Sequence, residues 1–366
     1  MMRSPGSFAI VCRRRSGELC VRERPIVDER TGLRGVPFVR GVVSLVESLK
    51  LGSEALKYAV KIFEEDLAED EAAAARPAPR AGLSLLALRS WAGRCLAALS
   101  LPIVSLVTRA DTDDAPVSGT HEKGGGGAVR AVMIVFALGL FVAAPQAGAN
   151  LLNRVFHLGL DLRSAGFQLL TGAMKLSIVV AYMSTLRQVS DTRRVFQFHG
   201  AEHKTISTYE ANEALTVANA RQKTTLHPRC GTTFLVMVAM VSVGVFSLIS
   251  PFLPHVGPAS GWGENIALFL MKLPFIPVIA GLTFELQRVF ARHCTTGPLR
   301  ALLWPGFLVQ KITTVEPDDD QLEVALASLR ATLWREHAPA VAPVVATEQR
   351  FPSYGALAAD GGYRAA

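Results

Sequence analysis

The sequence predicts a mainly α-helical integral membrane protein, with about four transmembrane helices, a small N-terminal β-hairpin and cytoplasmic helices. Three observations carry that expectation. Half of the 366 residues are hydrophobic and only 19% are charged, values high for a soluble chain. Four apolar stretches are each about long enough to cross a hydrocarbon core. The basic residues gather in the connections on one side of those stretches.

Residues 1–40 hold the hairpin element: Phe8 to Cys12 and Glu18 to Val21 have strand composition and flank a basic stretch ending in Ser16-Gly17. Within residues 41–68, Val42, Leu45, Val46, Leu49, Leu56, Val60 and Phe63 recur at helical spacing, which predicts an amphipathic helix suited to the membrane surface. Residues 69–129 are Ala/Pro-, Asp- and Gly-rich linkers around an apolar segment, Leu83 to Val107. Arg89 and Arg94 near the middle of that segment disfavour a crossing, so it is expected to lie in the interface.

Residues 130–186 contain the first two expected spans, Ala131 to Asn150 and Ala165 to Leu186, the latter carrying Lys175. Residues 233–286 contain the other two, Thr233 to Leu253 and Ile266 to Leu286, the latter with Lys272, Pro274 and Pro277. Between them, residues 187–232 carry Arg187, Arg193, Arg194, Lys204, Arg221, Lys223 and Arg229, whereas Pro254 to Asn265 has no Lys or Arg. The basic connection therefore faces the cytoplasm, and both chain ends fall on the same side of the cell membrane. Residues 287–335 are a cytoplasmic region with a helix from Gln321 to about Trp334, and the Ala/Pro/Gly-rich residues 336–366 read as a disordered tail.

No cleavable signal peptide is expected, because the apolar run Phe8 to Cys12 is short and Arg13, Arg14 and Arg15 follow it. The five cysteines form no C-x-x-C, which fits reduced thiols. A net charge of +7 suits anionic lipid; nucleic acid is not expected as a partner, since the cations are dispersed and not interleaved with aromatics.

The basic connection holds the pattern richest in chemistry. His199-Gly200-Ala201-Glu202-His203 is an H-x-x-E-H pentad. On a helix, positions four apart share a face, so His199 and His203 can present two imidazoles to one divalent metal, zinc above all, with Glu202 beside them as general base. The rival reading is a polar helix start in which Glu202 caps backbone and the histidines bond water or phosphate.

Zinc catalysis normally uses three protein ligands and leaves one position open. Glu285, 82 residues beyond His203, is one candidate for the third, similar in placement to the glutamate of inverted-motif zinc peptidases; its alternative is an ion pair with Arg288. His227 and Cys230, in His227-Pro228-Arg229-Cys230-Gly231, are the others, together with Glu210. If His199, His203, His227 and Cys230 all bind, the site is closed and structural. Lys204 and Arg229 could hold an anionic substrate, or be solvated cations near headgroups.

Several blocks in order resemble one family. They are MMRSP (Met1 to Pro5), RGVVSLVESLKLGSEAL (Arg40 to Leu56), FQFHGAEHKTISTYE (Phe196 to Glu210), HPRCGTTFL (His227 to Leu235), GLTFELQR (Gly281 to Arg288) and PGFLVQKITTVEPDDDQLEVAL (Pro305 to Leu326). Together they are similar to the YqhQ-like family, domain of unknown function 1385, whose members are described as predicted metal-dependent membrane enzymes. The resemblance implies a Gly-rich stretch ahead of Met1-Met2-Arg3, placing the start upstream of Met1 or that element missing here. Residues 69–129 look longer than the family's equivalent.

The expectation is thus a zinc-type membrane hydrolase acting on an unknown membrane-associated substrate at the cytoplasmic face. Its alternative is a non-catalytic, metal-organised membrane scaffold or regulatory protein. A transporter reading, drawn from Lys175, Lys272 and the prolines within spans, is weaker because the reactive residues cluster in the connections.

Overall fold

The computed structural model describes residues 1–26, 36, 38–74, 132, 135–136, 139–254, 262–293, 298–337 and 347–363. Four strands form one antiparallel sheet in the order β1 (Met2–Arg3), β2 (Ser7–Arg13), β3 (Leu19–Pro25) and β4 (Thr347–Phe351). The helices are α1 (Val39–Ala74), α2 (Ala144–Val155), α3 (Ala165–Leu186), α4 (Ser190–Glu210), α5 (Val217–Arg221), α6 (Gly231–Ile249), α7 (Trp262–Lys272), α8 (Ile276–His293), α9 (Trp304–Thr313), α10 (Asp319–His337) and α11 (Tyr354–Ala359).

The expected hairpin is the centre of the sheet. Strict alternation gives β2 and β3 two apolar faces, so each face needs cover. Phe8, Ile10 and Cys20 pack under Leu51, Tyr58 and Ile62 of α1. Ala9, Val11, Leu19 and Val21 on the other face pack against Val324, Ala327 and Ala331 of α10. The far side of α10 buries Leu322, Ala325, Leu326, Leu329 and Leu333 with Ala201 of α4 and Ala220 of α5. The layers therefore run α1, sheet, α10, α4. Small residues on α10 let two layers close on it at once. At its start the Gln321 side chain returns to the Asp318 amide, 2.9 Å, as a capping box.

Two of the expectations change here, the extent of α1 and the state of the tail. The helix of residues 41–68 is longer; Leu51, Tyr58 and Ile62 pack on the sheet, while Val46, Leu49, Leu56, Val60 and Phe63, among the residues named for a membrane-facing side, remain exposed. Residues 69–74, read as linker, continue α1, because Ala and Glu keep the helix going until prolines follow. The rest of 69–129, including the interfacial segment 83–107, lies outside the described residues.

The tail of 336–366 contains order where disorder was expected. β4 pairs with β3 from Leu19↔Phe351 to Glu23↔Thr347, and Tyr363 is buried against Trp334 and Phe351 at ring distances of 5.2 and 5.7 Å. A few aromatics with a sheet edge to join outweigh the Ala/Pro/Gly-rich average.

Among the described residues, three helices are long and apolar enough to cross a membrane: Ala165–Leu186, Gly231–Phe252 and Leu270–Phe290. The first expected span, Ala131 to Asn150, is described mainly from Gly139, where a π-helical turn (Gly139–Ala143) leads into α2, which runs on to Val155. The last span is not one unbroken helix. Pro274 and Pro277 remove amide donors, and a 3₁₀ turn, Leu273–Phe275, separates α7 from α8. Gly172 of α3 lets Val243 of α6 approach so closely that a Cβ there would lie 2.1 Å from the Val243 methyl, a small-residue crossing of the kind membrane helices use. Cys12, Cys20 and Cys230 are free thiols.

Candidate metal centre

Helix α4 follows span α3 after three connecting residues and packs against α10, and its His199 reaches the end of α9 and the start of span α6. His199 and His203 stand one turn apart on it, their ring centroids 4.5 Å from each other. Gly200 lies between them for a steric reason. A Cβ at that position would sit 2.2 Å from the Val315 carbonyl oxygen, so only glycine lets the chain after α9 lie against α4. The Val315 amide bonds the Phe196 carbonyl of α4 at 3.0 Å, fixing that approach.

Each imidazole is aimed by a backbone carbonyl. A carbonyl only accepts, so Nδ1 of His199 donates to Thr313 (3.0 Å) and Nδ1 of His203 to Thr225 (2.5 Å). That leaves Nε2 of each ring as the nitrogen turned away from the carbonyl, the orientation seen where imidazole serves as a metal ligand. His199 Nε2 lies 3.1 Å from Cys230 Sγ. Cys230 is the N-cap of α6; its sulfur accepts from the Thr232 amide at 3.4 Å and meets the Thr232 hydroxyl at 3.1 Å. Burial by itself would push the Cys230 thiol up, but hydrogen bonds and charge from His199 and His203 bring it down to about 5. Burial likewise opposes the charged form of His199, and the Cys230 sulfur, the Thr313 carbonyl and Glu202 outweigh it, leaving His199 above its ordinary value.

One ligand atom from each of His199, His203 and Cys230 lies within 4.8 Å of the others, with His203 and Cys230 buried. Two imidazoles and a thiolate are the donor set of a zinc-type ion, and three donors leave a position open. The residues present therefore fit the ion that the pentad implies.

The other candidates go elsewhere. His227 is near, its ring 5.7 Å from that of His203, but both of its nitrogens are engaged. Nδ1 accepts from the Arg229 amide and Nε2 meets Glu210, each at 3.3 Å. Burial holds His227 below its ordinary value in spite of Glu210, so it stays neutral. Glu285, expected as a third ligand, is instead gripped by both arms of Arg40 and by the Phe38 amide, and joins span α8 to α1. The carboxylate needed a partner, and the partner comes from the N-terminal helix. Lys204 is buried, donates to the Arg221 carbonyl at 2.9 Å and pairs with Glu316, so it braces the frame. Arg229 bonds Glu210 at 3.0 Å with its side chain largely exposed. Glu202 stands beside His199 and, among the described residues, has no hydrogen bond or ion pair.

The sequence reading missed the positioning groups. Gln310 is fully buried in α9, accepts from the His227 amide (2.9 Å) and donates to the His227 carbonyl (2.7 Å) and Thr233 hydroxyl (2.6 Å). It clamps the turn that delivers Cys230. A lone glutamine within the apolar run Phe307-Leu308-Val309-Gln310 is the signal that was there to find. The Thr225 and Thr313 carbonyls leave no mark in sequence.

No solved structure matches this chain. Among curated proteins it is 27% identical over 301 residues to the "Uncharacterized protein YqhQ" of Bacillus subtilis (strain 168), covering 82% of this chain and 78% of that one. A family model described as "Protein of unknown function (DUF1385)" matches residues 36–335, a range that holds all three members of the cluster, and the chain belongs to that family.

Proposed function

We propose that this chain is a metal-dependent membrane enzyme, a hydrolase, whose zinc-type ion is held by His199, His203 and Cys230 at the cytoplasmic face of the cell membrane. The observation that carries the reading is the convergence within 4.8 Å of one nitrogen from each of two carbonyl-oriented imidazoles and one sulfur at a helix N-cap. A bound divalent ion supplies Lewis acidity at that point. Glu202, next to His199 and without a hydrogen bond or ion pair among the described residues, is the group that takes and returns a proton there. Arg229, exposed at the rim, is placed to meet an anionic part of a membrane-associated substrate.

Elemental analysis of detergent-purified protein tests the ligands. Wild type should hold about one ion per chain, His199→Ala, His203→Ala and Cys230→Ala should hold almost none, and Glu202→Gln should hold the wild-type amount. Equal metal in all five would remove the reading.

A second reading has one observation in its favour. Cys230 sits at a helix N-terminus 3.1 Å from His199, the arrangement of an activated thiol nucleophile. The two readings separate under alkylation: a metal-bound thiolate resists iodoacetamide until a chelator is added, whereas a nucleophilic one reacts at once in metal-replete protein.

A further inference from the structure

Two lysines lie within the spans, and the metal cluster uses neither. Lys175 stands at the middle of span α3, and Lys272 near the start of the last span, Leu270–Phe290. No Asp or Glu occupies residues 165–186 or 231–252, and Glu285 of the last span is held by Arg40. Among the described residues neither lysine has an ion pair, and Lys175 has no hydrogen bond either. An ammonium without a counter-ion is costly in hydrocarbon, so a cation kept there marks a place that an anion visits.

The fold gathers the two amines. Gln168, Gly172 and Lys175 share one face of α3 at helical spacing. That face meets α6 at Gly172 and Val243. One turn further along α6, the Phe246 ring lies 5.0 Å from the Lys272 amine, which also donates to Gln168 Oε1 at 2.9 Å. Gln168 is buried, and its amide nitrogen donates to the Leu162 carbonyl at 2.8 Å, which fixes its oxygen toward Lys272. Lys272 is thus turned in between α3 and α6 instead of out to the headgroups. Side chains on a helix lean toward its N-terminus, which carries the Lys175 amine toward Gln168 and into electrostatic range of Lys272.

A second set of groups at this end of α6 lacks partners. The hydroxyls of Ser247 and Ser250 are buried without a hydrogen bond among the described residues, and Ser250 is wholly shielded. They follow Phe246 by one and four positions, so they border the face that carries it. Buried hydroxyls are almost always bonded, so two orphans beside two unpaired cations point to a ligand rich in acceptor oxygens. Both α3 and α8 pack on α6, and each lysine is only part-buried, so the amines are reached from the lipid side.

We infer that Lys175, Lys272 and the Ser250 hydroxyl form an intramembrane site for a phosphate-bearing anion, either the headgroup phosphate of an anionic phospholipid or inorganic phosphate. A phosphate brings negative charge and several acceptor oxygens to two ammoniums and the hydroxyls, where a carboxylate brings only its pair. The site is separate from the metal cluster. Ser250 lies 20 residues past Cys230 along α6, about 30 Å by helical rise, at the opposite end of the bundle.

The test adds phosphatidylglycerol, phosphatidylcholine, inorganic phosphate or oleate to the full chain in a neutral detergent and reads affinity from the rise in melting temperature. Lys175→Met and Lys272→Met are measured beside Lys311→Met, a control at the other end of the bundle whose amine lies over Trp304. Phosphatidylglycerol or inorganic phosphate should bind, and whichever does identifies the source. Affinity should fall at least about 10-fold in Lys175→Met and Lys272→Met, the loss expected for one charged hydrogen bond, and stay unchanged in Lys311→Met. Lys175→Met breaks no hydrogen bond and removes a cation from hydrocarbon, so without ligand it should melt no lower than wild type, which separates lost binding from lost fold. Phosphatidylcholine binding as tightly as phosphatidylglycerol, oleate binding alone, or no anion binding at all would overturn the inference. So would equal affinity in wild type and Lys175→Met, or a loss in Lys311→Met as large as in the other two.

Discussion

Gly200 is the residue on which the geometry of the cluster turns. With the Val315 carbonyl 2.2 Å from where its Cβ would be, Gly200→Ala must push α4 away from the chain after α9. That movement carries His199 off the Thr313 carbonyl. Metal content should fall at least about 10-fold while the melting of the sheet layers changes by under about 2 kcal/mol, a single misplaced ligand being worth that much in affinity. Calorimetry beside elemental analysis reads both, and full metal occupancy in the alanine variant would contradict the assigned role. The protonation of the pair sets a pH dependence. Without metal, Cys230 loses its proton near 5 while His199 keeps its own to above its ordinary 6.5. An ion must displace the His199 proton, so apparent affinity should rise with pH through neutrality and fall below it, steepening under about pH 5 as the thiolate is also protonated. Competition titrations with a chromophoric chelator should show protons released on binding in the pH range where His199 is still protonated; a flat profile would mean that His199 is not a ligand. His199, His203 and Cys230 were all legible as candidates, because the pentad and the turn motif name donors by type. What selected Cys230 over His227 and Glu285 was not legible. It rests on Arg40, Glu210 and the Arg229 amide being the partners that the competing side chains find first; the Arg40–Glu285 pair spans 245 positions, and the two at His227 depend on how the turn around it folds.

The elements of the sheet layers hold each other by reciprocal burial. Leu326 is wholly buried between α10, α4 and α5, so Leu326→Ala should destabilise the protein by about 3 kcal/mol. Chemical denaturation followed at Trp334 measures it. On the opposite face, Arg14 and the Arg15 amide hold Asp66 of α1, at 2.6 and 3.0 Å. Burial opposes ionisation of Asp66, but those bonds win and keep its carboxyl below the usual 3.8. A carboxyl lowered in the native state stabilises fully above its unfolded value, and that contribution fades as the pH falls through the lower native one. Docking of α1 should therefore loosen only below about pH 4, and Asp66→Asn should give the same loosened proteolytic pattern at neutral pH. The hairpin, α1 and α10 were all legible from alternation, periodicity and a capping pattern. The tail was not: β4 needs the edge of β3 to exist before Thr347 to Phe351 has anything to pair with, and no local pattern reports a pairing partner more than three hundred residues away.

At the scale of the molecule, three spans carry a soluble-like stack whose two outer layers are each tied to a span, by Arg40 on Glu285 and by His199 beside Cys230. The second of these ties is the cluster itself, so an ion bound there would fasten α4 to α6 as well as serve chemistry. Chelation should then raise hydrogen exchange in α4 and at the start of α6 while leaving α10 and the sheet unchanged; uniform exchange with and without chelator would detach the cluster from the architecture. The most direct test of the metal centre is X-ray absorption at the zinc edge of the purified, metal-replete protein. The account predicts one sulfur at about 2.3 Å and two imidazole nitrogens at about 2.0 to 2.1 Å, with the sulfur lost in Cys230→Ser. A shell of oxygen and nitrogen alone in the wild type, or no bound metal at all, would contradict it.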